Sequence, residues 1–385
     1  QNLKFVKQWG PNNDAAGFAH TVRIDKEDNV WMTDEGANMI VKFRPDASVA
    51  LTLGRKEEPL DWLEKFIEEG EKIESKTPVM RPWVFSRPTD VIWDNDGNIF
   101  VSDGYNNSRL AKFDKNGNWA KAIGERGSAP DQFNTPHGIT SDANGLIYVA
   151  DRGNHCVRRV HMITGEVDTV AGTGVHGHPA TQEYNEPRQV ALNSPWDLVA
   201  AGEKLLIAMA GQHQIWALDL NRKRLNLYSG TGKIGRDDGD GMFATFAKPT
   251  GLAYVNQVLY VVDADGSAIR AVRSDGRVQT LVGAGLYEFG DVDGAPAQVR
   301  LQYPMDIAAD ANGQILWLVD TYNDKLKAVS LRGGGVKSIN LAYKFHQPSG
   351  IASLPGKLFV ANTAAHEVVR IDTSNGQVTR LPIGE

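Results

Sequence analysis

A short unit recurs seven times along this chain. Each unit opens with a tetrapeptide in which proline is usually second and Asp or Gly usually fourth. An apolar strand, a Gly turn, a second strand that usually ends in Asp and an Asn-containing turn follow. Self-similarity at a period of about 45–60 residues indicates a radial or solenoid array. The seven openings span residues 19–22, 87–90, 135–138, 194–197, 248–251, 303–306 and 347–350.

Residues 87–124 show the unit in full. Pro88 begins the inner strand, where a missing N–H costs little. Three further strands follow, separated by turns rich in Asp, Asn and Gly, as in an antiparallel meander. The inner strands are nearly all apolar, as expected for strands buried on both faces. The sequence therefore predicts an all-β fold: a seven-bladed β-propeller of four-stranded antiparallel blades, forming one domain over residues 1–385.

Two segments depart from this pattern. Residues 59–73 are charged, with apolar residues at helical spacing, and predict a short helix within about 57–75, between the first two blades. The helix would lie over the channel as a lid or against the rim. Residues 3–10 and 377–381 both suit the outer strand of the last blade. Either one of them takes that place or the blade gains a fifth strand.

Composition narrows the class of protein. The net charge of −6 argues against a nucleic-acid-binding surface, and no stretch approaches 18 uninterrupted apolar residues. The single cysteine, Cys156, excludes a disulfide framework within the chain. We expect a soluble monomer. The compartment stays open between the cytoplasm and the periplasm or extracellular space, since a secreted protein with a large core would have the same composition.

The Pro-x-[Gly/Asp] openings and the Tyr-Val-x-Asp strand ends resemble those of the NHL-repeat β-propellers, which are usually six-bladed, so six blades remain an alternative. Residues 1–152 resemble bacterial relatives of peptidylglycine alpha-amidating lyase, through residues 101–109 and 132–138. Residues 154–385 resemble the propeller that follows a thioredoxin-like domain in an animal NHL-repeat protein. The chain is either a chimera, natural or engineered, or a natural protein of intermediate type.

The residue after the inner-strand proline points towards the channel in such a fold. His20 and His137 hold this position, which makes them a candidate metal pair. The resemblance to the lyase implies that they match two of its three zinc-binding histidines, and that Tyr105 and Arg152 match its catalytic tyrosine and active-site arginine. The third histidine position holds Met305 or Ser349, and zinc catalysis needs three protein ligands with an open position.

Other polar groups are weaker candidates. The acidic runs 237–241 and 291–294 look like calcium loops but lack the spaced ligands of an EF-hand, and we interpret them as loops between blades. The remaining histidines outside the channel layer lie in turns or outer strands, where we expect surface positions. They include His155, His161, His176, His178, His213 and His366.

Two functions remain after this reasoning. The first is a non-catalytic propeller scaffold that binds a small molecule, a peptide or a protein at the channel mouth. The alternative is a zinc-dependent lyase of the amidating type, with a calcium-dependent lyase or hydrolase as a third candidate. A complete set of three channel-facing ligands would distinguish the enzymes from the scaffold.

Overall fold

The computed structural model describes residues 5–7, 19–34, 39–46, 49–54, 90–94, 96–104, 107–116, 118–142, 144–180, 183–286, 288–310, 312–333, 335–362 and 367–380. These residues form seven sheets, in each of which four consecutive antiparallel strands are neighbours. The prediction of seven blades is confirmed. The predicted helix at 57–75 lies outside the described residues, within which none of the helices is long and apolar enough to cross a membrane.

The strands of each blade run in chain order from the channel outwards. Blade 1 contains β2 (Ala19–Ile24), β3 (Val30–Asp34), β4 (Met39–Phe43) and β5 (Val49–Gly54). Blade 2 contains β6 (Asp90–Trp93), β7 (Ile99–Asp103), β8 (Arg109–Phe113) and β9 (Trp119–Ile123). Blade 3 contains β10 (Pro136–Ser141), β11 (Ile147–Asp151), β12 (Cys156–Val160) and β13 (Val167–Ala171).

The later blades follow the same order. Blade 4 contains β15 (Pro195–Ala201), β16 (Lys204–Met209), β17 (Gln214–Asp219) and β18 (Arg224–Ser229), with β14 (Glu183–Tyr184) added outside β18. Blade 5 contains β19 (Pro249–Val255), β20 (Val258–Asp263), β21 (Ala268–Val272) and β22 (Val278–Val282). Blade 6 contains β23 (Asp306–Ala309), β24 (Ile315–Asp320), β25 (Lys325–Ser330) and β26 (Val336–Ser338). Blade 7 contains β27 (Pro348–Leu354), β28 (Lys357–Asn362), β29 (Glu367–Asp372) and β30 (Val378–Arg380). Short 3-10 turns lie at Arg152–Asn154, Pro187–Gln189, Pro296–Gln298 and Thr321–Asn323.

The ring is closed by a fifth strand in blade 7. The N-terminal β1 (Phe5–Lys7) pairs in parallel with β30, outside the complete meander of that blade. Of the two arrangements left open by the sequence, the structure has the one in which the last blade gains a strand. This pairing covers the outer edge of β30, which would otherwise present unpaired backbone groups.

Apolar side chains fill the space between neighbouring sheets. Leu206 and Ala208 of blade 4, for example, form one buried cluster with Leu259 and Val261 of blade 5. Because each sheet is covered on both faces, the second strands are continuous buried runs such as that of β11. Burial of these faces is the main force holding the ring together.

A buried carboxylate ties the second strand of several blades to its surroundings. In blade 3, Asp151 accepts hydrogen bonds from the backbone N–H of Asn134 (2.7 Å), the Asn154 side chain (2.8 Å) and Arg158 Nε (2.9 Å). Asp320 of blade 6 does the same with Gln302, Asn323 and Lys327. We call this arrangement the ionic lock. It explains the repeated Asp and Asn of the sequence motif.

A second repeated contact joins each blade to the next. The residue just before the third strand lies in the left-handed region in blades 2 to 6 and bonds the residues before the next inner strand. Ser108 Oγ accepts from Thr135 N (3.2 Å), and His155 Nδ1 accepts from Ser194 N (3.1 Å). The ring of His213 lies 2.5 Å from the carbonyl of Ala247. His155 and His213, which the sequence placed in turns, are half-buried and link neighbouring blades.

Candidate functional site

The mouth of the channel is formed where the inner strands begin and the second strands end. Trp196 follows the first residue of β15 and lies at the centre of a group from three blades. The His137 ring lies 4.7 Å from the Trp196 ring, centroid to centroid, and the guanidinium carbon of Arg152 lies 4.7 Å from the same centroid. Arg152 is the first residue of the 3-10 turn after β11, which places its side chain beside the next blade.

Lys248 approaches Trp196 from blade 5. Its Nζ lies 5.2 Å from the Trp196 ring centroid and donates a hydrogen bond of 3.0 Å to the Tyr303 hydroxyl. Tyr303 in turn stacks on Tyr322, with 5.0 Å between ring centroids and 14° between the planes. We call His137, Arg152, Trp196, Lys248 and Tyr303 the mouth cluster. It presents aromatic faces and two cations to one opening.

The two cations of the mouth cluster lack acidic partners within the described residues. Neither Arg152 nor Lys248 forms an ion pair there, and the buried Nε of Arg152 has no hydrogen-bond partner. Both instead lie over Trp196, whose face attracts positive charge. An aromatic face contributes much less than a carboxylate, so the cluster retains positive potential that an anion would neutralise.

Deeper in the channel, three carboxylates surround one guanidinium. Arg23 Nη2 of blade 1 bonds Asp90 Oδ2 at 2.8 Å, and the charges of Asp197 and Asp306 also act on it. Although burial alone would lower the pKa of Arg23, these carboxylates hold it above the ordinary value. Arg23 is thus a fixed positive charge. It leaves the three carboxylates only partly neutralised.

Each channel carboxylate belongs to an even-numbered blade and bonds the next blade. Asp90 accepts from Ile139 N (3.1 Å), Asp197 from Leu252 N (3.1 Å) and Asp306 from Ile351 N (2.9 Å). Glycine occupies the equivalent position in blades 3, 5 and 7, at positions 138, 251 and 350. A Cβ on Gly138 would lie 2.9 Å from Asp197 Oδ1 and 3.0 Å from Asp197 Cα. The alternation of Asp and Gly therefore makes room for one carboxylate at every second interface.

Burial dominates the acidity of two of these groups. It raises the pKa of Asp197 to about 7, against the opposing effect of Arg23. It also raises the pKa of Asp306, against the backbone amide of Ile351 and the charge of Arg23. Desolvation disfavours the charged form of a carboxyl group, which accounts for both directions. Asp197 therefore changes its protonation state near neutral pH.

The structure brings together only some of the site residues predicted from the sequence. His137 and Arg152 share contact with Trp196, and His137 is buried (7% exposed). His20 lies in β2, but its side chain lies outside the described part of the chain, as does the whole of Tyr105. The sequence did not identify Lys248 and Tyr303. The sequence does contain a signal for them, because both occupy the position just before the inner-strand proline and both have long side chains. The same position in other blades holds Thr135, Ser194 and Gln347.

The described residues do not fit a zinc centre. In the channel layer, His137, Trp196, Thr250 and Met305 have described side chains, and His137 alone among them is a usual zinc ligand. No group of three His, Cys, Asp or Glu residues within the described ranges has the geometry to hold a metal ion. The channel carboxylates are already bound by backbone amides, so we derive no chemistry through a metal.

The acidic loops at 237–241 and 291–294 are bound by cations of the protein itself. Asp238 Oδ1 accepts a hydrogen bond from Arg270 Nη2 at 2.9 Å. Asp291 and Asp293 lie 2.9 and 3.1 Å from the buried Nζ of Lys327. These carboxylates extend the ionic locks of blades 5 and 6.

Comparison with known proteins agrees with this architecture. The NHL repeat family matches residues 133–160. NHL repeat-containing protein 2 of Homo sapiens is 33% identical over 296 residues, which are 65% of this chain and 40% of that protein. Peptidyl-glycine alpha-amidating monooxygenase B of Xenopus laevis is 34% identical over 169 residues, 42% of this chain and 17% of that protein. The chain thus spans less than half the length of either relative.

Among solved structures, virginiamycin B lyase from Staphylococcus aureus has a TM-score of 0.61, with 14% identity. The match covers 93% of this chain and 96% of the lyase. At this identity the similarity concerns the fold. Together with the seven sheets and the repeated strand order, these matches show that the chain is a β-propeller that contains an NHL repeat.

Proposed function

We propose that this propeller is a non-catalytic binding module that holds an anionic small molecule or peptide at the mouth of its channel. The observation that carries the proposal is the pair of cations, Arg152 and Lys248, over the two-ring system of Trp196 without an acidic partner among the described residues. A carboxylate placed between them would gain charge-assisted hydrogen bonds, and an attached apolar group would cover the indole.

The position of the mouth cluster supports binding at this opening. Its residues come from blades 3 to 6 and meet around Trp196, as expected for a binding site assembled from several blades. The channel carboxylates lie below it. They would repel an anion that moved deeper, and so keep the ligand at the opening.

Titration with acidic peptides tests this proposal. The probe is N-acetyl-Glu-Glu-Tyr, followed by calorimetry, with N-acetyl-Lys-Lys-Tyr as the charge-reversed peptide. We expect Arg152→Gln and Lys248→Met each to weaken binding of the acidic peptide by about tenfold, the loss of one charge-assisted contact. Lys233→Met, on the loop between blades 4 and 5, is the control. Equal binding of both peptides, or no effect of the mouth variants, would contradict the proposal.

The second candidate function is a zinc-dependent lyase of the amidating type. The 34% identity to an amidating monooxygenase over part of the chain favours it, whereas the described side chains of the channel layer include one usual zinc ligand, His137. Metal analysis of untagged protein separates the candidates. Stoichiometric zinc that is lost in His137→Ala, with turnover of a peptidyl-hydroxyglycine substrate, would establish the enzyme. Metal-free protein that still binds the acidic peptide would establish the binding module.

A further inference from the structure

The outer edge of blade 3 differs from those of the four blades that follow. In blade 4, β14 pairs with β18, and in blade 7, β1 pairs with β30. In blades 5 and 6, Gly239 and Gly294 exchange backbone hydrogen bonds with the outer strand, on Val278 and Val336. Each of these blades therefore has its outermost strand covered by another part of the chain.

Blade 3 has no such cover within the described residues. The backbone of Val167–Val170 makes no hydrogen bond to them on the side away from β12. The reason lies in the connection that precedes the blade. The segments that cover blades 4, 5 and 6 belong to connections of about twenty residues, such as that from Gly172 to Ser194, whereas Gly124–Thr135 contains twelve. The shorter connection folds back on itself through Arg126 and Phe133 and does not reach β13.

A groove of about 420 Å³ lies beside this open edge. One wall is Asp168, Thr169 and Val170 of β13, and the opposite wall is the segment 185–188 with the turn after β17. Leu218 and Leu220 lie on its blade 4 side. An edge strand with a half-apolar groove next to it is the geometry in which an extended peptide adds to a sheet.

The groove carries a small excess of positive charge, which favours an acidic occupant. Four cations line it against three carboxylates, of which Glu186 is exposed on the wall opposite β13. Arg188, Arg222 and Lys223 are exposed around it and form no ion pair within the described residues. The acidic residue on the strand itself, Asp168, pairs with the Arg159 guanidinium (2.6 Å) and lies within hydrogen-bond distance of His161 Nε2 (3.1 Å). Asp219 is turned towards the backbone N–H of Asn221 and Arg222.

We propose that the outer edge of blade 3 binds an acidic peptide segment as an added β-strand, at a site separate from the mouth cluster. The added strand would take the place that β14 fills in blade 4. Backbone hydrogen bonds to Val167–Val170 would supply affinity, and carboxylates on the peptide would meet Arg188, Arg222 and Lys223.

The test uses a hexapeptide of alternating valine and aspartate, acetylated and amidated at its ends. We expect it to bind and to protect the amides of residues 167–170 from hydrogen exchange. The double variant Arg188→Glu/Arg222→Glu should weaken binding at least tenfold. The matched control is Arg273→Glu/Arg277→Glu, which reverses the charge of two exposed arginines in the turn between β21 and β22 of blade 5. The outer edge of that blade is covered, so this variant should leave binding unchanged.

Three results would overturn the proposal. The first is that a peptide with lysine in place of aspartate binds as well as the acidic one. The second is that a peptide N-methylated at alternate residues, which cannot form the backbone hydrogen bonds of an added strand, binds with unchanged affinity. The third is that the acidic peptide loses binding to Arg152→Gln but still binds the Arg188/Arg222 double variant, which would assign it to the mouth cluster instead.

Discussion

Blades 3 and 4 are neighbours with the same strand order, yet different residue types occupy the positions around the end of the second strand in each. Blade 3 carries the ionic lock of Asp151, Asn154 and Arg158. The corresponding positions in blade 4 hold Met209, Gln212 and Trp216. The backbone N–H of Asn193 is accepted by Gln212 Oε1 at 3.1 Å, as that of Asn134 is accepted by Asp151 in blade 3.

The comparison shows that blade 4 keeps an acceptor for this backbone N–H although it has no charged group at these positions. In blade 4 the amide of Gln212 accepts the hydrogen bond that a carboxylate accepts in blade 3. Trp216, at the position of the blade 3 arginine, donates its indole N–H to the Gln214 side chain (3.2 Å). A buried ion pair is weak evidence for stability, because desolvation offsets much of the attraction. It nevertheless makes the blade vulnerable to the loss of either partner.

The largest effect should come from breaking the ionic lock. Asp151→Ala leaves Arg158, only 4% exposed, without its carboxylate and leaves Asn134 N–H without its acceptor. We expect the free energy of unfolding to fall by about 3–5 kcal/mol, as measured by urea denaturation. A fall below about 1 kcal/mol would mean that the ionic and neutral blades do not differ in the way described.

The matched change in blade 4 should cost less. Gln212→Ala removes the acceptor of Asn193 N–H and the donor to the carbonyl of His178, but it strands no charge. We expect a loss of about 1–3 kcal/mol in the same urea experiment. If this variant were as unstable as Asp151→Ala, the orphaned charge could not be the source of the difference between the blades.

The smallest effect concerns the channel, where blade 4 has Asp197 opposite Gly138 of blade 3. The pKa of Asp197 is about 7 in the folded protein, above that of an unfolded aspartate, so the folded state retains a proton that the unfolded state releases. Its contribution to stability is complete below about pH 4 and is lost as the pH rises to about 7.

Because water reaches the channel, this loss should be on the order of 1 kcal/mol, well below the full value for such a shift. Asp197→Asn cannot titrate, so the stability of wild type relative to this variant should decline between pH 4 and pH 7. Urea titrations of both proteins across this range measure the decline. A constant difference would place the pKa of Asp197 at its ordinary value, and a difference that grows with pH would place it below that value.

The sequence predicted the parts of the fold that depend on local rules. Proline at the start of an inner strand and Asp at the end of a second strand lie where expected in blade 3, at Pro136 and Asp151. Proline acts through φ restriction, and the bonds of Asp151 stay within the same repeat, on Asn134, Asn154 and Arg158. The repeat number follows from them directly.

The parts that were not predicted depend on pairing between distant segments. The parallel contact of β1 with β30 joins opposite ends of the chain, and β14 pairs across a long connection. Of the site, the sequence found His137 and Arg152. It could not show that Lys248 reaches Trp196 from the next blade, because that contact depends on how two sheets are set around the ring.

The alternation of Asp and Gly around the channel has a consequence for how such rings change size. A ring with an odd number of blades cannot alternate Asp and Gly all the way round, so the alternation must fail at one blade. Here it fails at blade 1, where Thr21 holds the shared position and Arg23 brings the countercharge. Adding or removing a single blade would therefore change where the alternation fails, or restore it around the whole ring. Adding or removing blades in pairs would leave one exception, as in this protein.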